Sequence, residues 1–530
     1  MWTPDKLRGR ALVWLLDLRV GAQVWRVATE PIEAPTGEEG ATESYRGGLD
    51  LDPSFRDQID LFADTAGERS VPLTIHLDGL QDVVSMQDLG LRLSAATGRL
   101  MLYPDGGSDE DVLVWVDGVV LEPEYGSTEE PVTLTLSEED ADAQGLIPDE
   151  AAAYTTQTYP GTTGDQDKRG ERYPIIIGAP GSATQDGSAP IHANSATFVL
   201  AGHAVAATTA TLYDEEDDFS ESLAITESAD ALGRVVSWIN TTLATTITVT
   251  VGDAFWVRWT GGGGLQGPSG SAMRGAGSIM RWMLQRSGAR WDAGRTAAAI
   301  PRLDSYLIDC YIGATPDKRV SPLEWVREHL VPILPISMRR GPGGLYPVVW
   351  RFDAVEQDAS GVIDADASRA SRVGPVSWSA RDAVKNQIVL RYGPSARTDK
   401  YTKRKGFCGD PLLPALDTDL ETNLACRWSF GSFGSRPLER SSDVLWDDAT
   451  AGAVLAWWAR RYALPTRSAT YSVDAVTHGH LSPGDVVVVH DDEVGFVDQV
   501  ALVDAVLWRT TGDLAISVRT LENPAMEKHR

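Results

Sequence analysis

The sequence predicts a mainly β, multidomain chain of the α+β type. Three observations carry this. Strand-length apolar segments punctuated by Gly, Pro and Asp dominate both ends of the chain. Helical periodicity is confined to a stretch near 276–330 and to a second one at 447–463. A length of 530 residues, at roughly 150 residues per domain, gives about three or four domains.

The N-terminal part, 1–150, reads as β-rich. Ala11–Leu18 and Gln23–Thr29 flank a short turn at Val20-Gly21-Ala22, which predicts a hairpin. Further strands are expected at Val71–Leu77, Leu89–Ser94, Arg99–Tyr103, Val112–Leu121 and Val132–Leu136, with turns at Pro104–Gly107 and Asp117-Gly118. Such spacing fits a sandwich or barrel rather than alternating βαβ units. Residues 101–150 hold 15 acidic side chains and no Lys or Arg, which predicts a negative loop or face.

A small β module is expected over 151–265. Residues 151–170 have the composition of a linker. Tyr173–Gly178 (YPIIIG) then opens strands at Ala196–Leu200, Thr209–Tyr213, Thr246–Val251 and Ala254–Trp259, with an acidic knot at Asp214–Asp218 in a loop. The Gly261–Gly264 run lacks the Gly-Lys-Ser/Thr ending of a phosphate loop and reads as a hinge.

A mixed α/β module is expected over 266–375. Ile279, Met283 and Leu284 share a helical face that Gly288 stops, and Pro322 begins a helix through Leu330 that Pro332 and Pro335 end. Leu345–Phe352 resumes as a strand. Residues 268–350 carry 11 Lys+Arg against 6 Asp+Glu, so this module can contact the acidic N-terminal face, its own copies or another protein.

The C-terminal part, 376–530, returns to strands at Asn386–Tyr392, before a basic knot of Arg397, Lys400, Lys403, Arg404 and Lys405. One helix spans Asp448–Ala463, capped by Asp447 or Asp448, with Arg460 and Arg461 where the dipole favours cations. Val454, Leu455, Trp458 and Tyr462 line one of its faces. Strands at Ser468–Asp474, Val486–His490, Phe496–Trp508 and Leu514–Thr520 close the chain, joined by turns at Ser482–Asp485 and Thr511–Asp513.

Composition bounds the function. With 75 Asp+Glu against 47 Lys+Arg the net charge is −28, which opposes tight unspecialised binding to nucleic acid. Apolar runs such as Ala11–Leu16 fall short of the roughly 20 residues a membrane helix needs, so no membrane anchor is expected. Asp17 closes that run too early for a signal peptide. Three scattered thiols, Cys310, Cys408 and Cys426, give no disulfide framework and suit a reducing cytoplasm.

Chemistry leaves little trace. His478 and His480 are the only close histidine pair, but they lack further ligands nearby. Asp364–Ser368 begins like a calcium loop without its Gly or closing Glu, and reads as a solvated loop. No Gly-x-Ser-x-Gly elbow or His-Glu-x-x-His occurs, and Cys310 and Cys408 have no neighbouring His. Trp256/Trp259 and Trp457/Trp458 suit packing better than sugar or base stacking. No catalytic, cofactor-binding or metal-ligating residue is assigned, and no cofactor is expected.

The stretch from Trp446 onward (WDDATAGAVLAWWARRYALPT, then HLSPGDVVVVHDDEVGFVDQVALVDAVLWRTTGDLAISVRTLE) resembles the end of the tail-hub, baseplate-hub or tail-tip proteins of tailed bacteriophages. Tyr173–Gly178 resembles the Tyr-Pro-Ile entry of their inserted module, and GLYPVVW at 344–350 resembles a stretch of their small αβ module. The resemblance implies two β-barrel-like hub domains with two smaller insertions, assembled as a homotrimer whose ring presents pseudo-sixfold symmetry to the tail. It implies a structural virion protein, assembled in the host cytoplasm, linking the distal tail ring to the tip. Its partners would be the distal tail protein, the tape-measure protein and tail-tip or fibre proteins, with DNA passing through the channel without specific binding. No receptor-binding extension, lysozyme or peptidase insertion is evident, so attachment and wall cutting are expected of other proteins. A glycan hydrolase with β-domains and a receptor-binding adhesin are the competing readings.

Overall fold

The computed structural model describes residues 10–37, 40–51, 55–58, 70–76, 93, 96–125, 131–137, 145–148, 172–181, 188, 190–194, 196–214, 220–230, 233–243, 255–259, 264–265, 271–314, 319–341, 343–367, 370–395, 398, 400–508 and 513–521. The expected strand at 246–251, the 151–170 linker, the 261–263 glycines, and most of the expected strand at 89–94, of the 214–218 acidic knot and of the 511–513 turn lie outside these residues.

The fold is mainly β, with several sheets, two of them curved like half-barrels, and a few helices. The N-terminal sheet has nine strands. Its order is Ile32–Ala34, Glu43–Gly47, Gln23–Ala28, Leu12–Val20, Thr97–Pro104, Leu113–Tyr125, Val132–Ser137, Ser70–Ile75 and Leu49–Leu51. The predicted hairpin is present, with Val20 opposite Gln23 and Gly21 at φ 61° in the turn. Leu12–Val20 is apolar on nearly every residue because its two faces enter different cores. Val13 and Leu15 pack with Tyr45, Met101 and Tyr103, while Trp14, Leu16 and Leu18 pack on the opposite side.

That second core is shared with the far end of the chain. Trp14, Leu16 and Leu100 belong to one buried cluster with Tyr471, Val487, Val503 and Ile516. The C-terminal sheet runs in the order Gly361–Asp364, Val486–Asp491, Phe496–Trp508, Asp513–Thr520, Arg467–Asp474 and Ala370–Arg372. Two short strands join it, Ser377–Trp378 and the N-terminal segment Phe55–Gln58, which pairs with Ala505–Trp508. The N-terminal strands and the C-terminal sheet are thus joined by backbone pairing at Phe55–Gln58 as well as by a common core.

Between them, Arg172–Ile177 pairs with Cys310–Ala314 and leads into a six-stranded unit. Its order is Ile191–Asn194, Thr197–Ala201, Val235–Asn240, Ser220–Ala229, Thr209–Asp214 and Phe255–Trp259. The strands at Ser220–Ala229 and Val235–Asn240 were not legible in the sequence. In SESLAITESA most side chains are exposed, so the segment shows no sustained apolar alternation beyond Leu223 and Ile225.

Helices Ala276–Ser287 and Ala293–Leu303, the helical segment Pro322–Leu330, which begins at Pro322 as expected, and the hairpin Ile336–Gly341/Gly344–Val349 follow. Gly288 ends the first helix at φ 75°, as its position predicts. Asp292 caps the second by accepting from the Arg295 N–H at 2.9 Å. These elements share a core with helix Asp448–Tyr462 and the four-stranded sheet Leu420–Thr422, Tyr401–Cys408, Gln387–Pro394 and Pro437–Ser441. Asp447 caps the 448–462 helix, accepting from the Thr450 N–H at 2.7 Å. Helix Leu424–Phe433 was not foreseen, since only Cys426 and Ser429 of its residues are fully buried.

Candidate functional site

Several buried polar groups sit where separate sheets and helices meet. Asp309, fully buried, ends the approach to Cys310–Ala314. Its carboxylate accepts two bonds from Arg274, Nε at 2.8 Å and Nη2 at 2.7 Å, and a third from the Ala179 N–H at 2.8 Å. Its own N–H donates to the Val444 carbonyl at 2.9 Å. One side chain therefore ties the entry to the six-stranded unit, the start of the helical module and the C-terminal part. The carboxylate's hydrogen bond raises the Arg274 pKa above its ordinary value, against the opposing effect of burial. Gly178, at φ 63°, is required there, because a Cβ would lie 2.1 Å from Asp309 Oδ1.

A second fastening joins the hairpin to the C-terminal sheet. Arg339 is buried, and its Nη1 donates to the Pro483 carbonyl at 3.1 Å. Burial pulls its pKa down, countered by Tyr346 and Asp485. Asp485 is itself held above the usual carboxylate range by burial, and accepts from the Ser482 N–H at 2.7 Å to close the Ser482–Asp485 turn. Gly484 has φ 94°, and a Cβ on it would reach within 2.1 Å of Val348 Cγ1. The segments GLYPVVW and SPGDVVVV, distant in sequence, are thus two sides of one contact.

The C-terminal sheet curls so that its two edges, Gly361–Asp364 and Ala370–Arg372, are consecutive in the chain. A cleft of about 650 Å³ marks the gap, lined by Asp366, Arg372, Ser472, Asp474, Asp491 and Glu493 among others. Arg372 crosses it, with Nε on Asp491 Oδ2 at 3.0 Å and Nη2 on Glu493 Oε2 at 2.9 Å. Tyr471 also donates to Asp491 Oδ2 at 2.9 Å, and burial followed by that carboxylate raises the Tyr471 pKa. Side-chain ion pairs close the sheet where backbone bonds do not. Among the described residues no histidine lines this cleft.

The residues weighed from sequence are occupied elsewhere. His478 is buried, with Nε2 3.0 Å from the Val362 carbonyl and Nδ1 3.3 Å from that of Asp474, while His480 Nε2 is 3.0 Å from the Ser360 carbonyl. Asp364 accepts from the Ala367 N–H at 2.8 Å and Asp366 from the Asp492 N–H at 3.1 Å. Among the described residues no group of three His, Cys, Asp or Glu is placed to hold a metal ion. Cys310, Cys408 and Cys426 are buried free thiols, and burial pushes all three pKa values up, that of Cys426 to about 12. Trp259, Trp457 and Trp458 are core residues, and Trp259 donates to Ser188 Oγ at 2.9 Å.

Of the three contacts open to the basic module, one is made within the chain. Arg290 pairs with Asp117 at 3.2 Å, and Arg319 donates to the carbonyls of Pro148 and Leu146 at 3.0 and 3.1 Å. Of the basic knot, Arg397 lies outside the described residues, while Lys403 donates to Asp448 at 2.8 Å and Arg404 to Asp417 at 2.7 Å within the chain. No helix among the described residues is long and apolar enough to cross a membrane.

No family model and no curated protein matches the chain. Solved structures do. The chain is similar to the 43 kDa tail protein of prophage MuSo2 from Shewanella oneidensis, at 10% identity and a TM-score of 0.39, over 96% of this chain and 98% of that one. It is similar to the tail protein from Neisseria meningitidis MC58, at 10% identity and a TM-score of 0.34, over 96% and 97%. A chain of the virion of a native gene transfer agent particle aligns at 13% identity and a TM-score of 0.40, over 71% and 90%.

Proposed function

We propose that this chain is a structural virion protein of a phage-type tail, a homotrimeric hub that links the distal tail ring to the tip. In this reading the ring lines the channel through which tape-measure protein and DNA leave the particle. The observation that carries it is the contact between Arg339 and Pro483 with Gly484 against Val348. Two of the segments on which the hub resemblance rests are there two sides of one junction, so the resemblance follows a physical unit rather than isolated turns.

The distribution of polar chemistry supports a scaffold rather than an enzyme. Asp309, Arg339 and Arg372 fasten modules or close a sheet, and the three thiols are buried in their protonated form. The acidic surface suits a wall past which DNA slides without adhering. Distal tail, tape-measure and tip or fibre proteins are the partners of this reading, and the assembled tail its location.

Mass photometry of the purified full chain tests the assembly state. A dominant species at three times the chain mass is expected, and a strictly monomeric protein at micromolar concentration contradicts the ring. Cell-wall glycan and peptide turnover assays test the rival reading. Activity that a single carboxylate or Ser substitution abolishes favours the hydrolase.

A further inference from the structure

The chain enters the six-stranded unit along Arg172–Ile177 and leaves it at Gly264-Leu265, and the two passes form a neck. The Ile176 carbonyl accepts from the Leu265 N–H at 2.7 Å, the Ala206 N–H donates to the Gly264 carbonyl at 3.0 Å, and Val205 bridges Leu265. The Ile176 N–H donates to Nε2 of His203 at 3.1 Å, while Nδ1 of the same ring lies 2.8 Å from the Ala204 carbonyl. A carbonyl only accepts, so Nδ1 carries the ring's proton. Nε2 receives an N–H and carries none. Backbone groups on both sides therefore define a neutral imidazole. The loop around it is fixed as well. The His203 carbonyl accepts from Ser237 Oγ at 2.8 Å, and the Gly202 N–H donates to the Pro174 carbonyl at 2.9 Å.

We propose that His203 is an acid-sensitive latch on this neck, whose protonation at Nε2 releases the six-stranded unit from its entry strand. The proton comes from solvent and converts the acceptor of the Ile176 N–H into a donor. Two N–H groups then face each other, and the ring and the strand must part. The charged groups on the elements packed around the neck are Arg286 on the Ala276–Ser287 helix, Glu227 on Ser220–Ala229, Arg172 on the entry strand, the Asp309–Arg274 pair against Gly178 and Ala179, and the Asp230–Arg234 pair before Val235–Asn240. Glu227 is engaged by the Val205 N–H at 3.0 Å. Withdrawal of the ring from water lowers the His203 pKa from 6.5 to about 4, Arg286 adding to the effect and the Ala204 carbonyl opposing it.

The sign follows from this. The folded neck holds fewer protons than the open one, so the latch is fully closed above pH 6.5 and weakens as pH falls toward about 4. The inference is independent of the proposed tail role and stands or falls without it.

Hydrogen exchange of the full chain, corrected for the intrinsic pH dependence, tests it. Protection of peptides covering 172–178 and 202–206 is expected to drop at least tenfold between pH 7.5 and 4.5, with the 448–462 helix still protected. His203→Gln keeps an acceptor that does not titrate, and its neck is expected to stay protected at both pH values. Should that variant fold poorly, the wild-type His203 ring signal by selective ¹³C-histidine NMR serves in its place, with a midpoint well below the ordinary histidine value expected. A neck unchanged down to pH 4.5, a neck that opens only together with the helix, a Gln variant as acid-sensitive as wild type, or a His203 midpoint at its ordinary value would each overturn the latch.

Discussion

Arg339 donates to the carbonyl of Pro483 across the junction between the mixed module and the C-terminal sheet, at 3.1 Å and out of water. The turn it holds contains Gly484 at φ 94°, pressed against Val348. Gly484→Ala is expected to cost on the order of 2–4 kcal/mol, combining left-handed strain with overpacking. Val348→Ala in the same chain should recover the steric part alone. Urea denaturation of the single and double variants measures both.

Asp309 is a buried carboxylate whose cation, Arg274, is a third exposed. Removing one partner of such a pair leaves an uncompensated charge, so Asp309→Ala should lose about 3 kcal/mol, the low end for buried pairs because Arg274 reaches water. A double-mutant cycle with Arg274→Ala checks it. Additive losses would mean the two side chains act separately.

Trp458 is fully buried on the helix face predicted for it, together with Val454, Leu455 and Tyr462. Trp458→Ala should cost about 3–5 kcal/mol. Thermal unfolding read by circular dichroism measures the loss, and wild-type stability would contradict the assigned packing.

The three thiols should be silent in the native state. Burial raises the pKa of Cys310, Cys408 and Cys426 and shields their sulfurs, so alkylation by iodoacetamide at pH 8 should wait for unfolding. Mass spectrometry before and after denaturant counts the modified residues. One thiol labelled rapidly in the folded chain would show it to be accessible.

These residues also show what the sequence makes legible. The 448–462 helix announces itself by an Asp cap, a stripe of large side chains and terminal arginines, all local signals. The Leu12–Val20 strand is equally plain, because two cores demand apolar residues on both faces. The pairing of Phe55–Gln58 with Ala505–Trp508 has no local signature, since period-two patterning fixes a strand's faces and not its partner. Asp309 shows the same limit in the candidate site. Nothing near it in sequence tells that Arg274, Ala179 and Val444 converge on it. The basic knot at 397–405 could be counted but not placed, and its Lys403 and Arg404 turn toward Asp448 and Asp417 of their own chain.

The central claim is a place in a particle. Cryo-electron microscopy of the intact assembly from cells carrying this gene tests it most directly. Three copies in a ring around an open or plugged axial channel at the distal end of the tail is the predicted result. A particle lacking the chain, or holding it off the tail axis in other than threefold arrangement, would contradict it.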